Sequence, residues 1–243
     1  MAQYTTRPDA RLIVANSETD SNMLWATRMF VPDRFIFIMR HRKKYVVMND
    51  LEFDRAREQA NVDVVLKQSE YVGRLAAKGV AFPTTAALIR AVFRDLDIKS
   101  ALVPSSFPTG LCDALRAMRI RIVVQPDPFW PRREIKSNDE IAKIQESLRI
   151  AERGMEAGIK ALRRTRISKN RHLYLNGSRL TSERLKSIIN TRIMELGCVP
   201  SHTIVASGEQ AVDPHNEGSG PIDADDPIII DIFPRSQKTG YFA

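Results

Sequence analysis

The chain has 243 residues, of which 43% are hydrophobic and 27% charged, so it suits one large domain or two ordinary ones and excludes a disordered protein. It contains no run of 18 apolar residues, and residues 1–9 lack the apolar core of a secretion signal. These features predict a cytoplasmic protein with no membrane partner. Cys112 and Cys198 match no zinc-binding spacing, and we expect two reduced thiols.

The net charge of +8 raises the question of nucleic-acid binding, but its distribution argues against that function. Residues 132–192 hold sixteen Lys and Arg against seven Asp and Glu, an excess of nine positive charges. Residues 193–243 hold two against eight, an excess of six negative charges. Basic side chains scattered along a helix are usually solvated, and no zinc finger or aromatic-rich basic motif accompanies them. We therefore expect no nucleic-acid partner.

The first half of the chain alternates strand-like and helix-like segments. Strands are predicted at the apolar runs 11–15, 35–39, 45–48, 62–66, 101–104 and 120–124. Helices are predicted between them at 22–27, 51–60, 84–96 and 111–118. Asp50 is the expected N-cap of the second helix, because its side chain can accept a free backbone N–H. The alternation is typical of an α/β layer domain, which we place at residues 1–131.

Three prolines, Pro126, Pro128 and Pro131, follow this domain and predict an extended linker. Ser137 and Glu140 then form a capping box that begins a long helix. The helix has apolar residues at a spacing of three to four, which we expect to face the core: Ile141, Ile144, Leu148, Ala151, Met155, Ile159 and Leu162. A second helix at 181–196, stopped by a glycine, and strands at 204–208 and 227–232 complete a second domain at residues 132–243.

Asp231 is the strongest candidate functional residue. It follows three isoleucines in a strand that we expect to be covered on both faces. A buried carboxylate needs a cation or hydrogen-bond donors. From the pattern alone, a bound metal is one solution, and a strand-end aspartate that caps a turn or pairs with Arg235 is the other.

The four histidines differ in their surroundings. His215 lies in a polar loop between two strands, where it is either solvated or a donor to a substrate carbonyl or a developing oxyanion. His202 begins a strand, and we expect a structural role for it. His41 and His172 lie in basic surroundings, and we expect both to be solvated.

Three segments in this order resemble one known family. Residues 133–141, Arg-Glu-Ile-Lys-Ser-Asn-Asp-Glu-Ile, are similar to the K-S-x-x-E-I helix start of Xaa-Pro aminopeptidases and prolidases. Residues 203–208, followed by Asp213-Pro214-His215, resemble their I-V-A-x-G and P-H segment. Residues 228–231, followed by Thr239-Gly240-Tyr241, resemble their V-L-I-D and G-Y segment. The chain is thus similar to the pita-bread metallopeptidase family, which also includes creatinases.

The resemblance implies a creatinase-type α/β N-terminal domain, followed by a partial α+β pita-bread domain. Such proteins hydrolyse the bond between an N-terminal residue and a following proline, using water bound to two divalent ions, commonly manganese or cobalt. Asp231 matches the first metal-bridging aspartate, and His215 matches the histidine that contacts the substrate or the tetrahedral intermediate. The implied partners are a peptide with proline at its second position and, for the full-length protein, a second copy in a homodimer.

The chain also departs from the family pattern. The family uses two aspartates, one histidine and two glutamates as ligands, and only the first aspartate has a match. We therefore expect a C-terminally truncated chain that lacks peptidase activity and binds no metal by itself. Phe233 stands where the family has glycine. Two alternatives remain open: a non-catalytic pita-bread protein that binds a peptide or a protein, and a creatinase-like amidinohydrolase that needs no metal.

Overall fold

The structure, a computed structural model, describes residues 7–243. These residues form two compact units, one ending at Ile135 and the other comprising Lys136–Ala243. Each unit has its own hydrophobic core. No helix among the described residues combines the length and the apolar character needed to cross a membrane.

The first unit is built on a six-stranded mixed sheet. Its strands are β1 (Ala10–Ala15), β2 (Phe35–Arg40), β3 (Lys43–Met48), β4 (Val64–Lys67), β5 (Ser100–Pro104) and β6 (Arg121–Gln125). They lie in the order β4-β3-β2-β1-β5-β6, with antiparallel pairing from β1 to β3 and parallel pairing elsewhere. The six predicted strands are therefore confirmed, and β2 and β3 form a hairpin.

Helices cover both faces of this sheet. They are α1 (Ser21–Thr27), α2 (Phe53–Gln59), α3 (Gln68–Ala76), α4 (Thr85–Asp95) and α5 (Thr109–Ala117). Successive residues of a strand point to opposite faces, so Leu12 belongs to one core and Ile13 to the other. Both side chains are fully buried, which is the burial pattern of a sheet between two helical layers.

The expected capping role of Asp50 is wrong. Helix α2 begins at Phe53 without a side-chain cap, and the backbone N–H of Glu52 donates instead to Asn49 Oδ1 at 2.9 Å. The Asp50 carboxylate accepts from the Ser69 hydroxyl at 2.8 Å. Ser69 belongs to α3, a helix that the sequence pattern did not predict.

The proline-rich segment is more ordered than a simple extended linker. Its aromatic residues Phe129 and Trp130 are buried in a core of the first unit, and Pro131–Glu134 forms a 3₁₀ turn. Burial of two aromatic rings contributes several kcal/mol of hydrophobic free energy, on the order of 1.5–3 kcal/mol for each large side chain. This burial fixes the segment to the first unit, whereas proline alone predicted only an extended backbone.

The second unit contains two helices and two small sheets. Its elements are α6 (Asn138–Arg163), β7 (Arg166–Ile167), β8 (Leu173–Leu175), β9 (Ser178–Arg179), α7 (Ser182–Glu195), β10 (Cys198–Ser207) and β11 (Ile228–Ser236). Strands β10 and β11 form an antiparallel pair, and β7–β9 form a three-stranded antiparallel sheet. Strands β7–β9 are two or three residues long, too short to produce a recognisable alternation.

The capping box that begins α6 is confirmed. The backbone N–H of Glu140 donates to Ser137 Oγ at 3.3 Å, and the backbone N–H of Ser137 donates to Glu140 Oε2 at 3.0 Å. Glu140 is buried, and its Oε1 also accepts from the Tyr241 hydroxyl at 3.2 Å. The start of α6 is therefore tied to the last residues of the chain.

The buried face of α6 differs from the predicted apolar stripe. The buried residues are Glu140, Ser147, Gly154, Gly158 and Ala161. Of the predicted stripe, Ala151, Met155 and Leu162 are partly buried against the core, as expected, whereas Ile141, Leu148 and Ile159 are exposed. Small residues face inward because α7 packs closely against them. A Cβ atom on Gly154 would lie 3.0 Å from Ile193 Cγ1, and one on Gly158 would lie 3.0 Å from Ile189 Cδ1.

This close packing predicts opposite effects of one substitution at two helical glycines. Gly158→Leu should lower the free energy of unfolding by about 1–3 kcal/mol or more, because the side chain would overpack the contact with α7. Gly73→Leu in α3 should raise it by about 0.5–1 kcal/mol, because no atom lies within 4 Å of the Cβ position and leucine is the better helix former. Urea unfolding followed by circular dichroism measures both. Equal shifts in the two variants would contradict the packing argument.

Candidate functional site

Asp231 lies in the middle of β11, opposite Ile204 of β10. It is exposed, as are its neighbours on the same face, Ile229 (49%) and Phe233 (38%). Helices α6 and α7 pack against the strand pair, and residues of both helices and both strands share one core. The expectation that both faces of this strand are covered is therefore wrong, because the run of isoleucines includes residues on the open face.

The contacts of Asp231 are local. Its Oδ1 accepts from the backbone N–H of Ile232 at 3.0 Å. Arg235, the partner that the sequence offered as an alternative to a metal, donates from its Nε to the backbone oxygen of Gly240 at 3.0 Å. An exposed carboxylate is hydrated and does not carry the desolvation cost of a buried one. The argument that burial forces Asp231 to hold a cation consequently fails, and the side chain is instead accessible from solvent.

His215 lies in the loop that joins β10 to β11, after a 3₁₀ turn at Gly208–Val212. Its backbone N–H donates to Asp213 Oδ1 at 2.9 Å, which closes a local turn around Pro214. The histidine is exposed. Backbone bonding thus positions the residue and leaves the imidazole toward solvent.

The loop around His215 is held in place by hydrogen bonds at both ends. The Gln210 amide donates to the Ser219 backbone oxygen at 3.1 Å and accepts from the Ser219 N–H at 2.8 Å. Lys186 Nζ of α7 donates to the Gly218 oxygen at 3.0 Å. The Gly220 N–H donates to Glu183 Oε1 at 3.0 Å. The loop is therefore fastened to itself and to α7.

The bond to Gly220 makes one of these contacts dependent on pH. The Gly220 N–H, followed by the Thr181 side chain, holds the pKa of Glu183 below its ordinary value. A lowered folded-state pKa stabilises the fold above the ordinary pKa of glutamate, and this contribution is lost as the pH falls through the lowered value. The loop is thus held most firmly where Glu183 is ionised.

Gly218 places this loop directly beside β10. Its φ is +79°, and a Cβ atom would lie only 1.7 Å from the Val205 oxygen and 2.8 Å from Ala206 Cα. The Val205 N–H donates to the Glu217 oxygen at 3.0 Å. Only glycine fits such an approach, since both the conformation and the space exclude a side chain. No pattern in the sequence indicates this contact.

Two of the other histidines, His202 and His172, lie beside carboxylates, and His41 is exposed. His202 occupies a bulge in β10 at φ 49°, and its Nδ1 lies 3.2 Å from Glu217 Oε1 of the loop, although the side chain is 85% exposed. His172 Nδ1 lies 2.5 Å from Asp223 Oδ1, so the expectation that His172 is simply solvated is wrong. His41 is exposed at the β2–β3 turn, as expected.

The donor set of the described residues does not fit a dinuclear metal centre. Among residues 7–243, no three His, Cys, Asp or Glu side chains come close enough together to hold an ion. Two hard divalent cations need several oxygen or nitrogen ligands that converge, and one exposed aspartate does not replace their water shells. Cys198 adds no thiolate, because burial, and then the charge of Glu146, raise the pKa of its thiol.

Comparison with known proteins finds one family model that matches part of the chain and solved structures that superpose on most of it. Residues 142–243 match the model of metallopeptidase family M24. The chain superposes on X-Pro aminopeptidase from Thermotoga maritima with a TM-score of 0.75 and 18% identity, covering 97% of this chain and 60% of that one. Xaa-Pro dipeptidase from Bacillus anthracis superposes with a TM-score of 0.73 and 14% identity, covering 97% of this chain and 58% of that one. Prolidase from Pyrococcus furiosus superposes with a TM-score of 0.68 and 15% identity, covering 94% of this chain and 62% of that one.

These matches show a shared fold. The chain spans about 58–62% of the length of these three solved structures. No curated protein sequence matches it. The mixed α/β chain therefore has a pita-bread fold, of which it covers a part, as predicted.

The position of Gly218 predicts a large difference between two neighbouring glycines. Gly218→Ala should lower the free energy of unfolding by at least about 2 kcal/mol, because a positive φ costs about 1–2 kcal/mol and the clash with Val205 adds to it. Gly220→Ala should cost only the conformational term, since its φ is +72° and nothing lies within 4 Å. Denaturant unfolding measures the difference. Hydrogen exchange at the Val205 amide should become faster only in Gly218→Ala. Unchanged protection of that amide would contradict the steric argument.

Proposed function

We propose that the chain functions in a metal-dependent exopeptidase of Xaa-Pro aminopeptidase or prolidase type, because residues 142–243 match the model of metallopeptidase family M24. The observation that carries this proposal is the arrangement around β10. Asp231 stands on the open face of the strand paired with β10, and the His215 loop is bound to β10 by backbone contacts. An accessible carboxylate and an accessible imidazole are thus positioned by the same strand.

In this proposal each residue has one role. Asp231 would be one of the ligands of two divalent ions, with manganese or cobalt the expected metals, and the remaining ligands would have to come from outside the described residues. His215 contacts the substrate carbonyl or the oxyanion formed from it, for which a fixed donor is most effective. The other ligands are not supplied by residues 7–243, so the chain by itself should not hydrolyse peptides.

The family resemblance supports further assignments of the same kind. We propose that the first unit is a creatinase-type N-terminal domain and the second the first half of a pita-bread domain. The substrate is a peptide with proline at its second position, and the active assembly is a homodimer in the cytoplasm. The three superposed structures have names that refer to prolidase or to Xaa-Pro peptidases, which supports this substrate class.

The open face of β11 favours a second candidate function, the binding of a peptide without catalysis. Ile229 and Phe233 flank Asp231 and are both exposed. Apolar side chains around one carboxylate suit the binding of an extended peptide without metal. In that case the protein is a non-catalytic pita-bread protein.

The proposed role of His215 predicts a specific kinetic defect. The intact mass of the protein purified from its own cells is measured first, and where it exceeds the 27.5 kDa of this chain, a Xaa-Pro peptide assay with manganese should detect hydrolysis. His215→Ala should lower kcat by about 10²–10³-fold, the effect of removing a donor to an oxyanion. His202→Ala is the matched control, because it removes an exposed imidazole beside the same loop, and it should leave kcat within about twofold. Equal losses in both variants would refute the assignment.

The incomplete ligand set predicts the behaviour of the 243-residue chain alone. It should show no hydrolysis above the buffer rate, and isothermal titration should find only weak manganese binding that Asp231→Asn barely changes, because a lone carboxylate replaces little of the water shell. Hydrolysis that depends on Asp231 in this chain would overturn the ligand argument. Saturable binding of a Xaa-Pro peptide without hydrolysis, lost in Phe233→Ser, would favour the non-catalytic function.

A further inference from the structure

A pocket in the first unit has the features of a ligand site that the proposed peptidase function does not use. Its volume is about 570 Å³, within the range of small-molecule sites. Three aromatic side chains form its wall: Trp25, Phe37 and Trp130. All of its lining residues belong to the first unit.

The aromatic wall is arranged by contacts between its rings. The Trp25 and Trp130 rings lie 5.4 Å apart at an interplanar angle of 34°, and Phe37 meets Trp130 edge-on at 6.2 Å. Trp130 is fixed by burial, since only 5% of it is exposed, whereas Trp25 is half-buried. A fixed indole beside a more accessible one offers a flat apolar surface to a planar ring.

The rest of the lining is strongly cationic. It includes Arg11, Arg28, Lys44 and Arg132, and no Asp or Glu. The Arg11 guanidinium lies 4.5 Å from the centre of the Trp130 ring. The pocket therefore places positive charge directly against its aromatic wall.

Burial makes these cations costly to keep charged. It lowers the pKa of Lys44, with the charge of Arg28 adding to the effect, and it lowers the pKa of Arg11, with Arg7 adding. The Asp63 carboxylate accepts from the Lys44 backbone N–H at 2.7 Å and partly opposes the shift of Lys44. Lys44 Nζ donates to the Ala26 and Asn61 oxygens at 3.1 Å each, two bonds for a group with three donors. An anion in the pocket would relieve this crowding of like charge.

One buried donor in the wall also lacks an acceptor. The Nε1 of Trp130 is buried and has no hydrogen-bond partner within the part of the chain that the structure describes. A buried unpaired donor costs about 1–3 kcal/mol, so such a group is normally satisfied by protein, water or a ligand. This N–H is itself inaccessible from solvent, so a ligand in the pocket would meet the face of the ring and not this donor.

We propose that this pocket binds a small anion that carries a planar aromatic ring. The ring lies against Trp25 and Trp130, and the anionic group lies among Arg11, Lys44 and Arg132. A nucleoside monophosphate and an aromatic carboxylate share this chemistry and fit the volume. The site belongs to the first unit and does not depend on the peptidase proposal.

The two tryptophans give a direct measurement, because the chain contains no others. The full chain is titrated with adenosine monophosphate and with benzoate, and tryptophan emission is recorded. Saturable quenching by at least one of them is expected, and the stronger of the two identifies the anionic group. Adenosine and inorganic phosphate should bind at least about tenfold more weakly, since each supplies half of the recognition.

Variants then separate the pocket from general charge. Arg132→Gln should weaken binding about fivefold, the effect of one partly screened charge, and Trp25→Leu should weaken it at least as much. Arg94→Gln is the matched control, because Arg94 is exposed on α4 and does not line the pocket. Circular dichroism confirms that each variant is folded. The proposal is overturned if neither anion gives saturable quenching, if phosphate alone binds as tightly, or if Arg94→Gln weakens binding as much as Arg132→Gln.

Discussion

The candidate site depends on strand β10, because the backbone of this strand holds both Asp231 and the His215 loop in place. Its residue Ile204 pairs with Asp231 on one side, and its Val205 N–H binds the Glu217 oxygen of the His215 loop. Gly218 makes the second contact possible, because any side chain there would occupy the space of the Val205 oxygen. The positions of the carboxylate and the imidazole are consequently linked through backbone geometry, which is stiffer than contact between side chains.

Helices α6 and α7 cover one face of the β10–β11 pair and leave Ile229 and Phe233 exposed on the other. Gly154 and Gly158 let α7 approach closely, so α6, α7 and the two strands share one core on one side. The larger apolar residues of α6, such as Leu148, then remain exposed together with Ile229 and Phe233 of β11. Small residues thus lie at the closest contact with α7, while Ile150, Met155 and Leu162 pack against the core beside them. The exposed apolar surface is what a peptide or a further layer of protein would cover.

Local signals in the sequence predicted most of the secondary structure. The strands at 35–39 and 45–48, the capping box at Ser137 and the helix predicted at 181–196 each depend on neighbouring residues, and the structure contains all of them. The errors arose where distant residues decide the outcome. Asp50 bonds to Ser69 rather than capping α2, and His172 pairs with Asp223, fifty-one residues away. No local pattern contains such partners.

The candidate site shows the same difference between local patterns and distant contacts. The motif around Asp231 and His215 could be recognised from residue order alone, but the burial of Asp231 could not, since three preceding isoleucines suit a strand with two covered faces as well as one with an open face. The contact between Gly218 and Val205 was equally hidden, because it joins residues thirteen positions apart by backbone alone. Residue order thus selects Asp231 and His215 as candidates, whereas their surroundings depend on contacts that the order does not contain.

Charge alone does not make the second unit a metal site. Residues 193–243 carry six excess negative charges, which raises the local concentration of cations near Asp231. Holding an ion at a defined position requires converging ligands, and the described residues supply no group of three. The first unit shows the contrast, since its Arg11 and Lys44 converge on one cavity with a rigid aromatic wall. The first unit therefore brings more polar and aromatic side chains to one cavity than the second unit brings to Asp231, so the function of the chain is to be sought in both units.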